Sequence, residues 1–162
     1  MRARMLFPIC CIVIGTAFAG CGDGSVANLD VPEQLTLYSI DGRHFEPGKE
    51  PKVEEKFHGY PVLGKVEVTD PDRRKEIIAA LNEGRARSNG TMAKCFLPRH
   101  AIRAVEKGRT VDYVICFECY QLEVHDGNSK RVKATTRDPQ QVFNRHLRQA
   151  GVRLAPGMTD DK

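Results

Sequence analysis

The 162-residue sequence contains no Walker loop and no glycine-rich dinucleotide fingerprint. It also lacks a His-Glu-x-x-His helix, a Gly-x-Ser-x-Gly elbow and an EF-hand loop. Those absences set aside the familiar nucleotide-dependent enzymes, zinc proteases, serine hydrolases and calcium sensors. Covalent haem attachment fails on one residue, because Tyr120 and not histidine follows Cys116-Phe117-Glu118-Cys119. No repeat or low-complexity tract is present. Charge is nearly balanced: the formal net charge is +4, and two of the cations, Arg2 and Arg4, stand at the very start. No catalytic residue can be assigned, and the reading leans away from an enzyme.

A membrane-spanning run is missing too. Leu6 to Ala19 is almost wholly apolar, but it is 14 residues long and interrupted by Pro8, Gly15 and Thr16. A helix needs about 20 residues to cross a bilayer. Behind the basic Met1-Arg2-Ala3-Arg4, the run has the length and flanks of a secretory leader, so residues 1–20 are set aside as a signal peptide. It ends in Phe18-Ala19-Gly20-Cys21, which resembles the lipobox of bacterial lipoproteins, with phenylalanine where leucine is usual. The resemblance implies cleavage before Cys21, acyl chains such as palmitate on that cysteine, and an exported domain held by lipid on a membrane of the bacterial cell envelope.

Residues 21–34 are small and polar around Gly22, Asp23, Gly24, Ser25 and Asn28. Such a segment buries too little surface to offset its chain entropy and is expected to be a flexible tether. Residues 35–155 are enough for one domain with a real core, and 156–162 read as a disordered tail. Between Arg73 and Arg109 stand ten Lys or Arg against Glu76, Glu83 and Glu106. This basic stretch suits either an anionic envelope component or protein, or a solvated face. The lack of interleaved aromatics and the exported location disfavour nucleic acid.

Strand and helix signals alternate along the domain. Leu35 to Ile40 alternates and stops at Asp41-Gly42; residues 43–56 read as loop; Tyr60 to Val68 is a second strand. Asp70-Pro71-Asp72 has the chemistry of a helix start, Ile77, Ile78 and Leu81 give that helix its apolar stripe, and Gly84 is its expected stop. Asp138-Pro139 repeats the start signal before Val142, Phe143, Leu147 and Ala150, and Gly151 ends the second helix. Between the helices lie strands at His100–Glu106, Thr110–Glu118 and Arg131–Thr135, with Lys107-Gly108 and Asp126-Gly127-Asn128 as turns. Cys119 to His125 continues or bends from the second of these. The expectation is an α+β fold: an antiparallel meander of four to six strands with two amphipathic helices packed on one face.

Six cysteines are encoded, but Cys10 and Cys11 leave with the leader and Cys21 is spent on lipid, so the domain keeps Cys95, Cys116 and Cys119. An odd number leaves one thiol over when a disulfide forms. With His100, the three sulfurs have the composition of a Cys₃His zinc site. Against that, residues three apart on a strand face opposite ways, so Cys116 and Cys119 can meet only at a bend. Thiol-redox work by the Cys-x-x-Cys pair, and a cysteine nucleophile at Cys95 or Cys119 with His100 as base, are further options. So is a plain disulfide, for instance Cys95 to Cys116 or Cys119, with the remaining cysteine in the core. Glu118 and Glu123 could each pair with another carboxylate as acid and base, or lie on a solvated face. His44, His58, His125 and His146 show no metal spacing. The stretch Cys95-Phe96-x-Pro98-Arg99-His100 followed by Ile115-Cys116-Phe117-Glu118-Cys119 resembles an uncharacterised group of bacterial lipid-anchored proteins, which implies no activity. Two readings follow. One is a non-enzymatic binding or structural module without cofactor. The other is a thiol-redox or metal-binding protein, with zinc as the metal.

Overall fold

A computed structural model describes residues 29–46, 48–49 and 51–157. The expected signal peptide (1–20), the lipobox-like Phe18–Cys21, residues 21–28 of the expected tether and 158–162 of the expected tail lie outside the described residues. Seven strands form one antiparallel sheet: β1 (Gln34–Ile40), β2 (Lys56–Phe57), β3 (Tyr60–Glu67), β4 (His100–Glu106), β5 (Arg109–Cys116), β6 (Gln121–Asp126) and β7 (Ser129–Ala134). Among the described residues two helices, α1 (Pro71–Ala86) and α2 (Pro139–Gln149), accompany the sheet. None of the helices among the described residues is long and apolar enough to cross a membrane.

The sheet is larger than the four to six strands expected, and it is not a simple meander. Its order is β2-β3-β1-β4-β5-β6-β7. Strands β4 to β7 do run as hairpins, but β1 lies between β3 and β4, which are joined over it by α1. The extra strand, β2, is two residues of the expected 43–56 loop and its edge; the turn His58-Gly59, with φ of 48° and 90°, folds it back on β3. Both residues sit in the left-handed region, as a two-residue hairpin turn requires. Asparagine-glycine would have announced that turn; histidine-glycine does not.

Alternation explains the faces. Leu35 and Leu37 of β1, Ile102 and Ala104 of β4, Tyr113 and Ile115 of β5, and Leu122 and Val124 of β6 point one way and are buried against Ile77, Ile78, Leu81, Phe143 and Leu147 of the helices. Both helices therefore cover one face, as the pattern predicts. The other face is concave. In β3, Leu63 is an extra residue: Ser39 pairs with Gly64 but Ile40 with Val62. Such a bulge bends the strand and increases its twist. The sheet curls into a half-barrel, so that the β2–β3 turn at one end reaches β5 and β6, with His58 stacked on His125 (centroids 3.8 Å apart). Tyr38, Ile40, Phe57, Ala101 and Val114 fill the concavity.

Helix signals were legible with three corrections. Asp70 caps α1, its carboxylate accepting from the amides of Asp72 (2.9 Å) and Arg73 (3.4 Å), with Pro71 at the first helical position. Gly84 does not end α1, which continues to Ala86. It is glycine for close approach: a Cβ there would lie 2.5 Å from Pro139 Cγ and 3.0 Å from Thr135 Oγ1. Asp138 precedes α2 without a side-chain cap bond. Gly151 does end α2: its amide donates to Arg148 O (2.9 Å) and that of Val152 to Leu147 O (2.9 Å), while Ala150 is exposed rather than part of the stripe. The expected tether is fixed before its end, since the Leu29 amide donates to Asn82 Oδ1 (3.2 Å) and Asn82 Nδ2 to Leu29 O (3.0 Å).

Gly84 supplies a first test. Alanine at a helix-interior glycine ordinarily stabilises by about 0.5–1 kcal/mol. Gly84→Ala should instead lose about 1–3 kcal/mol, because the rigid Pro139 ring must move. A urea midpoint that rises would show that α1 and α2 are not held this close.

Candidate functional site

The three thiols come together where β5 turns into β6. Strand β5 ends at Cys116, and the next four residues reverse the chain: the Cys119 amide donates to Cys116 O and that of Tyr120 to Phe117 O, both at 3.2 Å. Tyr120, at φ 56°, completes the reversal into β6. The opposite-face objection applies to a regular strand, and the turn removes it. Cys116 and Cys119 have Cα atoms 5.2 Å apart and are joined in a disulfide.

Cys95 arrives from the connection between α1 and β4. Ala93 lies against the turn, its amide donating to Cys119 O (3.0 Å). Gln121 at the start of β6 donates its Nε2 to Ala93 O (3.0 Å) and also to Cys95 O. Farther along, the Arg99 amide donates to Ile115 O (3.2 Å). Held in this way, Cys95 places its Sγ 3.0 Å from that of Cys119. Cys116 and Cys119 are 2 % and 1 % exposed, whereas Cys95 is exposed and unbonded. A disulfide from Cys95, with another cysteine left in the core, is therefore not the pairing found: the turn joins the two near cysteines, and the odd thiol faces solvent.

His100 does not join them. It pairs with Ile115 across β4 and β5, on the helix side of the sheet, whereas Cys116 is on the next, opposite-facing position. Its Nε2 is hydrogen-bonded to Asn144 Oδ1 (2.8 Å), and its ring meets Phe117 and Phe143 edge-on. Burial drives its pKa down to about 4, with Arg99 adding to the fall and Asn144 opposing it. A neutral core histidine is what that environment makes. The Cys₃His tetrahedron is thus not assembled, and among the described residues no group of three or more His, Cys, Asp or Glu is placed to hold a metal ion. Nor is His100 set to act as base for Cys95 or Cys119. Glu118, in the middle of the turn, is tied to Arg99 (2.9 Å), and that pair lines a cavity of about 10 Å³ together with His100 and Cys116.

No family model, curated protein or solved structure matches this chain. Its own geometry must carry the reading.

That geometry includes a polar array the sequence did not disclose. On the concave side Asp112 accepts two bonds from Arg103 (both 2.8 Å) and one from His58 (2.8 Å). Burial alone would raise the Asp112 carboxyl, but the hydrogen bonds and charges of Arg103 and His58 hold it below its ordinary range. Next to it, Glu123 pairs with His125 (3.1 Å) and Lys130 (2.6 Å). Glu123 and Glu118 are each paired with a cation, Lys130 and Arg99. Alternating charge along β5 and β6 was the available signal; that His58 would reach them depends on the curl. Within the basic stretch Arg73–Arg109, six of the ten cations stand in ion pairs: Arg73 with Asp70, Arg87 with Glu83, Arg99 with Glu118, Arg103 with Asp112, Lys107 with Glu106 and Arg109 with Asp126.

Proposed function

We propose that this chain is a lipid-anchored protein of the bacterial cell envelope that exchanges disulfides with thiols outside itself through Cys95, Cys116 and Cys119. One observation carries the reading: an exposed thiol lies 3.0 Å from a sulfur of an existing disulfide. Exchange proceeds by attack of a thiolate on a disulfide sulfur, so proximity of a third sulfur is the feature it requires. The leader and Cys21 supply the setting, since disulfides persist in exported compartments.

The experiment uses the full chain extracted in detergent. Intact mass reports lipid on Cys21, and alkylation after incubation in graded dithiothreitol counts the domain's thiols. The expected count passes from one to three while the near-ultraviolet circular dichroism stays native. A disulfide that opens only when the chain is unfolded would sink the reading. That outcome would favour the second one, a non-enzymatic binding module, for which the Arg103–Asp112–His58 and Glu123–His125–Lys130 array on the concave side is the supporting observation.

A further inference from the structure

Resting on that reading, we infer that the disulfide is reached only through an internal relay: Cys95 is the entry thiol, Cys119 the shared sulfur, and Gln121 the residue that positions one against the other.

Three observations combine. First, the two bonded sulfurs are almost wholly buried while Cys95 is exposed, so an external thiol meets Cys95 before it can meet the disulfide. Second, Cys95 stands beside Cys119, which makes Cys119 the sulfur attacked and Cys116 the leaving group. Third, Cys95 is 24 residues from Cys119 in sequence, yet its arm is pinned on both sides of the thiol by one amide group, the Nε2 of Gln121. Neither donor bond of Gln121 touches a reacting atom. Its part is to hold the main chain of residues 93 and 95 against the turn, and it is a positioning residue.

The steps balance without any component beyond an external thiol. Cys95 as thiolate attacks Cys119 Sγ; the Cys95–Cys119 bond forms as Cys119–Cys116 breaks, and Cys116 leaves as thiolate and takes up a proton. No electrons enter or leave in this step. It moves one sulfur of the disulfide from the interior to the surface. An external thiolate then attacks Cys95 Sγ, forming a mixed disulfide and releasing Cys119 as thiolate. A second external thiol attacks the external sulfur of that mixed disulfide, which yields the external disulfide and returns Cys95 as thiol. Two electrons and two protons have passed from two external thiols to Cys116 and Cys119. Run backwards, the same steps oxidise the pair.

The test compares variants in the full chain, with dithiothreitol as reductant and acid quenching before peptide mapping. Cys95→Ser should slow reduction of Cys116–Cys119 by more than about tenfold, because a held neighbour outcompetes a thiol from solution. Cys116→Ser, oxidised under conditions that keep the native pair closed, should contain a Cys95–Cys119 disulfide. Gln121→Met should slow reduction in the native background and leave it unchanged in the Cys95→Ser background, which a merely structural role would not do. An unchanged rate in Cys95→Ser overturns the relay while leaving exchange itself standing. Failure to find Cys95–Cys119 in Cys116→Ser overturns the shared sulfur, and equal slowing by Gln121→Met in both backgrounds overturns its positioning part. If the native chain itself resists reduction, it is the exchange reading that fails.

Discussion

Phe143→Ala should cost the domain about 3–5 kcal/mol of stability, the range for removing a fully buried aromatic ring from a core. Phe143 is 0 % exposed and projects from α2 into the centre of the helix-covered face. Its ring meets Phe117 at 5.2 Å and 77° and His100 at 5.6 Å and 85°, edge-on arrangements that add to the area buried. Phe117 opens the turn that carries Cys119, so this packing also seats the three sulfurs. Phe143→Leu keeps most of the volume and should lose about 1.5 kcal/mol. Urea unfolding of both variants checks the pair; a loss under about 1 kcal/mol for alanine would mean that the site refills by collapse of its neighbours.

The second large effect is on pH dependence, through His100. Its folded pKa, about 4, lies well below the ordinary imidazole value of 6.5. Between those values the unfolded chain binds a proton that the folded chain refuses, so stability rises with pH in that window. The contribution is fully present above about 6.5, falls away as the pH drops, and has been lost by about 4; the total is about 3 kcal/mol. Carboxyls act in a different range. Asp41 and Asp112 are held below the ordinary carboxylate value of 3.8, against the opposing effect of burial, mainly by Arg43 and by Arg103 with His58. What they contribute is lost only as the pH falls below about 3.8 toward their folded values. His100→Gln should therefore flatten the stability curve between pH 6.5 and 4 and leave the more acidic limb in place. A variant curve parallel to the native one across that window would refute the buried neutral imidazole.

Much of the frame was legible because local chemistry dictated it. Asp70-Pro71 and Gly151 bound helices for reasons contained in a few residues, and alternation in Leu35–Ile40 marked a strand. What could not be read was whatever depends on distant neighbours. Gly84 has the composition of a helix stop, but its meaning comes from Pro139, 55 residues later in the chain. The place of β1 between β3 and β4 follows from the crossover of α1, which no pattern in β1 encodes. Among the site candidates, the three cysteines do converge at one turn. Their pairing was missed because a strand was extended through Phe117 and Glu118, where the chain turns. His100 was grouped with them on sequence nearness, although one step of pleat separates it from Cys116. His58, Asp112 and His125 meet only because Leu63 bulges and the sheet curls.

The central position of β1 has a consequence for how the chain is made. Synthesis delivers β1 before either of its partners: Tyr38 pairs with Lys65 on one side and with Ala101 on the other. Strands β4 to β7 are linked by turns short enough to close as local hairpins within microseconds. Strand β1, with Leu35, Leu37, Tyr38 and Ile40 buried on its two faces, has no such local partner. Strand β3 can reach one edge of it 27 residues downstream (38 to 65), but the other edge must wait for β4, 63 residues downstream (38 to 101), and long-range pairing of that kind sets the pace of folding. Until then one edge of an apolar strand stays open, the sort of edge on which newly made chains adhere to one another. The first of the described strands to emerge is the one whose place is completed only after β4 has been made.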